Sequence, residues 1–129
     1  VKKKKRRKRG YRRGIHVSPI AGECRYRSSW EEKYMNYLDN NLDVATWSYE
    51  KLVIEYVANK STNKIRKYYP DFFVELRNGD RLLIEIKQKR KLQTLIVKKK
   101  TDAAKKWCSF NNAIFLILTE VELKEMGIL

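Results

Sequence analysis

The sequence predicts one α/β domain in which a mixed sheet carries helices on both faces, in the order helix, three antiparallel strands, helix, strand. Three observations carry this reading. Two runs rich in β-branched and aromatic residues, Tyr68 to Leu76 and Asp80 to Lys87, flank Arg77-Asn78-Gly79, and Asn-Gly between such runs is a strong hairpin signal. Apolar residues recur at helical spacing upstream, at Trp30, Tyr34, Tyr37 and Leu38, and downstream, at Ile96, Ala103, Trp107 and Phe110. The second helix leads into an unbroken apolar run, Ala113 to Leu118, which a helical crossover sets parallel to the strand before it.

Composition sets the limits. A chain of 129 residues with 43% hydrophobic content suits one domain with one core. Thirty Lys and Arg against fifteen Asp and Glu give a net charge of +15, which predicts a polyanionic partner, nucleic acid by default. Cys24 and Cys108 are too few for a disulfide framework or a four-ligand zinc site, and His16 has no ligand-spaced neighbour. Free thiols in a reducing compartment are the expectation. No stretch approaches the roughly 18 apolar residues of a membrane span, the basic leader lacks the apolar segment of a signal peptide, and no membrane association is expected.

Residues 1–13 hold ten Lys or Arg, and like charges with nothing to bury do not fold alone. Lys4, Lys5, Arg6, Arg7, Arg9, Arg12 and Arg13 are expected to act as a DNA-binding arm, since each phosphate neutralised releases condensed counterions. A solvated tail resembling a nuclear localisation tract is the alternative. Gly14 to Arg25 reads as an extended lead-in, so residues 1–24 form arm and lead-in and residues 25–129 the folded domain.

The first helix is expected from Ser29 to Leu38 or Asn40. Ser28 or Ser29 could cap it, and Ser29 as cap puts Glu32 at the capping-box position. Glu31, one turn before Tyr34 and Met35, falls at the edge of the buried stripe, where a carboxylate needs a partner. It is the candidate third acid of a site, with a salt bridge to Arg25 or Arg27 as the alternative. A strand at Val44 to Tyr49 leads through Lys51 to Val57, and the polar Asn59 to Asn63 turns the chain into a long strand from Ile65 to Leu76. Trp47, Tyr49, Tyr56, Tyr68 and Tyr69 read as packing residues rather than base-stacking ones. After Lys87 come Lys89, Arg90 and Lys91, then a helix from Thr94 to Phe110 with Lys98, Lys99, Lys105 and Lys106 on its outer face. Some of these cations are expected to follow a nucleic-acid backbone. Ala113 to Leu118 reads as a fully buried strand, and Glu120 to Met126 as a short closing helix.

The hairpin register decides the chemistry. A two-residue Asn78-Gly79 loop would set Phe72 beside Glu85 and Asp71 beside Ile86, mixing polar and apolar faces. A three-residue loop with Gly79 in the left-handed bulge position instead pairs Phe72 with Ile84, Val74 with Leu82 and Glu75 with Arg81. It also brings Asp71 opposite Glu85, and it is preferred because a one-residue slip would turn every buried side chain outward. Opposed residues have Cβ atoms about 4.5–5.5 Å apart, so two carboxylates can grip one ion, and Lys87 points to the same face. Hard oxygens of this kind suit Mg²⁺ or Mn²⁺ and leave coordination positions open. An adjacent lysine can orient water or offset charge on a phosphate.

Pro70-Asp71 with Glu85-Ile86-Lys87 resembles the PD-(D/E)xK nuclease signature, a superfamily that also uses a glutamate on an upstream helix. Together with Arg27-Ser28-Ser29-Trp30-Glu31, Tyr68-Tyr69-Pro70-Asp71-Phe72 and Trp107-Cys108, the pattern is similar to the head completion nucleases of T4-like tailed phages. More distantly it resembles transposon end-cleaving endonucleases. The resemblance implies a restriction-endonuclease-like αβββαβ core and a Mg²⁺- or Mn²⁺-dependent DNA endonuclease or end-trimming nuclease. In it Asp71, Glu85 and the carbonyl of Ile86 would hold metal, Glu31 would assist and Lys87 would position or activate water. It further implies action on DNA after packaging, contact with phage portal or neck proteins, and a place in the virion neck or in the host cytoplasm during assembly. A homo-oligomer is possible, since a dimer would cut both strands. The alternatives are a non-catalytic DNA-binding neck protein and a transposon-end or mismatch-nicking endonuclease.

Overall fold

The Arg77-Asn78-Gly79 turn closes with a three-residue loop. Leu76 N–H donates to Asp80 O at 2.8 Å, Gly79 N–H donates to Leu76 O at 3.0 Å, and Gly79 takes φ +95°, the left-handed conformation that favours glycine. Strand β6 (Phe72–Leu76) therefore pairs with β7 (Arg81–Ile86) as Phe72 with Ile84, Phe73 with Leu83, Val74 with Leu82 and Glu75 with Arg81. This is the predicted register. It appears in a computed structural model that describes residues 12–129, so Lys4, Lys5, Arg6, Arg7 and Arg9 lie outside the described residues.

Around this hairpin the chain runs β1 (Gly14–Ser18), β2 (Gly22–Tyr26), α1 (Ser29–Asn40), β3 (Val44–Tyr49), β4 (Ile54–Asn59), β5 (Lys64–Tyr68), then β6 and β7. A short 3₁₀ turn (Lys89–Lys91), α2 (Leu95–Phe110), β8 (Ile114–Leu118) and α3 (Glu120–Glu125) follow. The central sheet has the order β3-β6-β7-β8, antiparallel except for the β7–β8 pair, which is parallel. Helix α1 packs on one face with Tyr34, Met35, Leu38, Trp47, Tyr49, Phe72, Val74 and Ile84. Phe72 is fully buried there, its ring 5.0–5.9 Å from those of Tyr34, Tyr49 and Trp47. Helix α2 covers the other face with Leu83, Ala104, Cys108, Ile54 and Tyr68. This is the mixed α/β sandwich of the restriction-endonuclease-like fold, and it anchors both arms of the β6–β7 hairpin between two apolar layers.

Three expectations need correction. The strand expected to run unbroken from Ile65 to Leu76 is split at Tyr69-Pro70-Asp71, because proline has no N–H to give a ladder. Among the described residues its first part, β5, pairs with β4 alone, so this hairpin is an excursion between β3 and β6. The lead-in is also a hairpin, β1 with β2, fastened to α1 by Asp39: Ser18 Oγ donates to Asp39 at 2.6 Å, Trp47 Nε1 donates at 3.0 Å, and His16 Nε2 sits 2.7 Å away. Finally, β8 is the sheet's edge rather than fully buried. Leu118 joins the core with Leu123 of α3, while Ile114 and Leu116 are 53% and 38% exposed. Both cysteines are free and buried, and burial raises their thiol pKa values.

Candidate active site

The β6–β7 ribbon ends in the predicted Asp71–Glu85 juxtaposition. Asp71 Oδ2 accepts from Ile86 N–H at 2.8 Å, and Asp71 N–H donates to Glu85 Oε2 at 3.3 Å. Each acid is thus oriented by the other's strand. Tyr68, at the end of β5, adds a phenol that donates to Glu85 Oε2 at 2.6 Å. Lys87 Nζ lies 4.0 Å from Glu85 Oε1. Asp71, Glu85, Ile86 and Lys87 line one cavity of about 390 Å³, together with Arg27, Ser28, Trp30, Glu31, Gln88 and Lys91.

Glu31 enters from α1. Ser28 caps this helix, its hydroxyl accepting from Glu31 N–H at 3.3 Å, so the third helical position falls on Glu31 and not on Glu32. Of the two serines that could cap the helix, Ser28 does so. At the third helical position a glutamate folds back over the helix start. Glu31 Oε1 accepts from Arg27 N–H at 2.7 Å, and Tyr49 Oη donates to the carboxylate at 3.1–3.2 Å. These two bonds hold a side chain that is only 7% exposed, pointing at the sheet end where Asp71 sits. The alternative partner, the Arg27 guanidinium, bonds Glu50 instead, at 3.1 Å.

Glu50 is the residue the sequence reading missed. It follows β3 in the left-handed conformation, φ 51°, and its N–H donates to Asp71 O at 2.9 Å. One carboxylate oxygen from each of Glu31, Glu50 and Asp71 lies within 4.8 Å of the others. The register Tyr49 with Phe72 sets Glu50 beside Asp71. That pairing is the signal that would have found it, and it depends on the β4–β5 excursion.

Burial and mutual repulsion dominate the electrostatics of the site. Burial, and then the charges of Glu85 and Glu31, push the Asp71 carboxyl well above the usual carboxylate range, against the pull of Ile86 N–H and Lys87. Burial also raises Glu85, opposed by the Tyr68 hydroxyl and Lys87, and raises Glu31, opposed by Arg27 N–H and Tyr49. The phenols of Tyr49 and Tyr68 are raised by burial and by their carboxylate partners, so each stays a proton donor. Glu31, Asp71 and Glu85 line the first cavity, and Glu50 lines a neighbouring one that they share. With no ammonium or guanidinium among Asp71's hydrogen-bond partners in the described residues, these carboxylates form the oxygen-only donor set that Mg²⁺ or Mn²⁺ prefers. The residues fit a hard divalent ion.

Residues 41–120 match the TnsA-like endonuclease N-terminal family. The chain belongs to this family, within the PD-(D/E)xK superfamily. A relative, the head completion nuclease of Enterobacteria phage T4, is 36% identical over 91 residues, which is 70% of this chain and 59% of that protein. The chain therefore spans under two thirds of that relative's length.

The family match contains Glu50, Asp71, Glu85 and Lys87, while Glu31 lies before it. Of the cations read as nucleic-acid contacts, Lys91 lines the site cavity. Lys89 and Arg90 are exposed beside it in the 3₁₀ turn, where Lys89 N–H donates to Glu120 Oε1 at 2.7 Å and Arg90 Nε to Gln88 Oε1 at 2.9 Å. Arg12 and Arg13 are exposed just before β1 and do not line the cavity. No helix among the described residues is long and apolar enough to cross a membrane.

Proposed function

We propose that this protein is a divalent-metal-dependent DNA endonuclease or end-trimming nuclease. The observation that supports it best is the convergence of Asp71, Glu85, Glu31 and Glu50 with Lys87 around one cavity, in a chain of an endonuclease family. Asp71, Glu85 and the carbonyl of Ile86 would hold Mg²⁺ or Mn²⁺, with Glu31 and Glu50 completing the acidic shell. Bound there, the ion would draw charge from the phosphate and make water more acidic.

The remaining work falls to the chain. Lys87 orients the attacking water and offsets the charge that builds on the phosphate as one P–O ester bond breaks. Tyr68 and Ile86 N–H fix the two hairpin carboxylates so that neither swings away from the phosphorus. Lys91 and Arg27 at the cavity rim attract the backbone, and the basic arm of residues 1–13 adds a sequence-independent attraction.

The relative named as a head completion nuclease supports a part in phage head completion; the reading adds work on DNA after packaging, in contact with portal or neck proteins, in the virion neck or the host cytoplasm. The test is incubation of the protein with circular and linear duplexes and with single strands, with and without Mn²⁺. Metal-dependent cutting that is lost in both Asp71→Ala and Lys87→Ala is the expected result, and undiminished cutting by either variant would refute the role given to that residue. The match to TnsA-like endonucleases favours one other reading, a site-specific transposon-end enzyme. Cleavage confined to one defined sequence would select it.

A further inference from the structure

The β4–β5 excursion has no role in building the central sheet, yet it leads straight into Asp71. We infer that this hairpin is a second DNA-binding element, whose strand β5 follows the phosphates on one side of the scissile bond. The inference rests on the proposed DNA substrate and adds where that substrate lies.

The charge is one-sided. From Ile54 to Tyr68 the hairpin carries Lys60, Lys64, Arg66 and Lys67 against a single Glu55. Lys64, Ile65, Arg66 and Lys67 are all exposed. Among the described residues, no carboxylate lies within ion-pair distance, 4.0 Å, of Lys64, Arg66 or Lys67. Elsewhere, cations near the site are engaged: Arg27 bonds Glu50, Lys87 is near Glu85, and Lys100 stands over the Tyr68 ring at 5.5 Å.

The placement is rigid. Ile54, Tyr56 and Tyr68 pack with Leu83, Ala104 and Cys108 under α2, and Lys99 Nζ donates to Ala58 O. The hairpin is therefore a fixed wall and its charges are pre-positioned, which lowers the entropy lost on binding. Strand β4 faces α2, which leaves β5 as the hairpin's open edge, where Arg66 on one face and Lys67 on the other both reach a backbone lying alongside.

The wall is continuous with the site. A neighbouring cavity shares Arg27, Glu31, Asp71, Glu85 and Lys87 with the first and is lined in addition by Glu50, Lys67, Tyr68, Tyr69 and Lys100. The first cavity reaches Gln88 and Lys91. The carboxylates are thus shared by two cavities, one lined by Lys91 and the other by Lys67 and Lys100. From Lys67 to Lys64 an extended strand covers roughly 10 Å. That is about three phosphate steps measured along the axis of one duplex strand.

The test uses the full chain, an end-labelled short duplex of arbitrary sequence and a single strand of the same length, with binding followed by fluorescence anisotropy across a salt series in EDTA. Lys64→Gln with Arg66→Gln is compared with Lys33→Gln plus Lys124→Gln, which removes the same charge from exposed helix positions elsewhere. The slope of log affinity against log salt is expected to fall by about 2 in the hairpin variant, about one per phosphate contact removed, and to stay within experimental error of wild type in the control. Equal loss in both variants, or no loss in the hairpin variant, overturns the inference. A duplex slope that falls while the single-strand slope does not identifies the duplex as the ligand followed. Because no cleavage is read, a protein that fails to cut with Mn²⁺ yet shows the hairpin-specific change refutes the nuclease reading alone.

Discussion

Replacing Asp71 by Asn is expected to stabilise the metal-free protein while abolishing its activity. Asp71 is 9% exposed, and one of its oxygens lies within 4.8 Å of an oxygen of Glu31 and of Glu50. Two like charges at that separation repel by about 3.5 kcal/mol at an effective dielectric constant of about 20. The upward shift of the Asp71 carboxyl offsets part of this repulsion, which leaves about 1–3 kcal/mol to be recovered. Asparagine keeps the oxygen that accepts from Ile86 N–H and places amide donors where the repelling charge stood.

In EDTA near neutral pH, the melting temperature of Asp71→Asn should exceed that of wild type by roughly 4–10 °C. The sign of the pH dependence follows from the direction of the shift. A carboxyl raised in the folded state contributes stability below its ordinary value of 3.8, and that contribution is lost as pH rises through the elevated folded value. The advantage of the variant should therefore be smallest near about pH 4 and widen toward neutrality. Mn²⁺ closes or reverses this gap. At a hundredfold excess over its dissociation constant it adds about 2.7 kcal/mol to the wild type and little to the variant. Scanning calorimetry with and without Mn²⁺ reads both effects, and a variant less stable than wild type in EDTA, or stabilised equally by Mn²⁺, refutes the reasoning.

Lys87→Ala should leave Mn²⁺ affinity close to wild type by calorimetry and slow single-turnover cleavage by about a hundredfold or more, the usual worth of a group that assists proton transfer. Tyr68→Phe removes the 2.6 Å hydrogen bond to Glu85 while keeping the ring packed, and is expected to cost about 10–100-fold in Mn²⁺ affinity or cleavage rate. Asp39→Ala strips the shared acceptor from Ser18 and Trp47 and the partner from His16, with an expected loss of about 2–4 kcal/mol in urea unfolding. The same change should speed modification of Cys24, the buried residue of β2, more than that of Cys108.

What could be read from the sequence was local. Turn chemistry and two-residue alternation, both contained within Tyr68 to Lys87, specify the β6–β7 register, and with it the approach of Asp71 to Glu85. Helix α1 follows from its apolar stripe, whereas on α2 Ile96 and Phe110 of the expected stripe are exposed and Ala104 with Cys108 face the core. Of the two serines that could cap α1, Ser28 does so, which puts the back-folding glutamate at Glu31 and not Glu32. What escaped depends on distant partners. The β1–β2 hairpin has no apolar face of its own to announce it, with Ile15 and Val17 exposed, and is held by Asp39 from a helix more than twenty residues on. Pro70 was the one visible mark that Ile65 to Leu76 is two strands. Without that break β3 cannot be seen to pair with β6, and Glu50 has no evident neighbour. For β8, apolar content alone does not distinguish a central strand from an edge one.

The most direct measurement is anomalous diffraction at the manganese edge from crystals soaked in Mn²⁺. A peak in coordination contact with Asp71 and at least one of Glu85, Glu31 and Glu50, and close to Lys87, is the expected result. Ordered protein with no peak between these carboxylates, in crystals whose solution sample cuts DNA, would contradict the assignment of the reaction to this site.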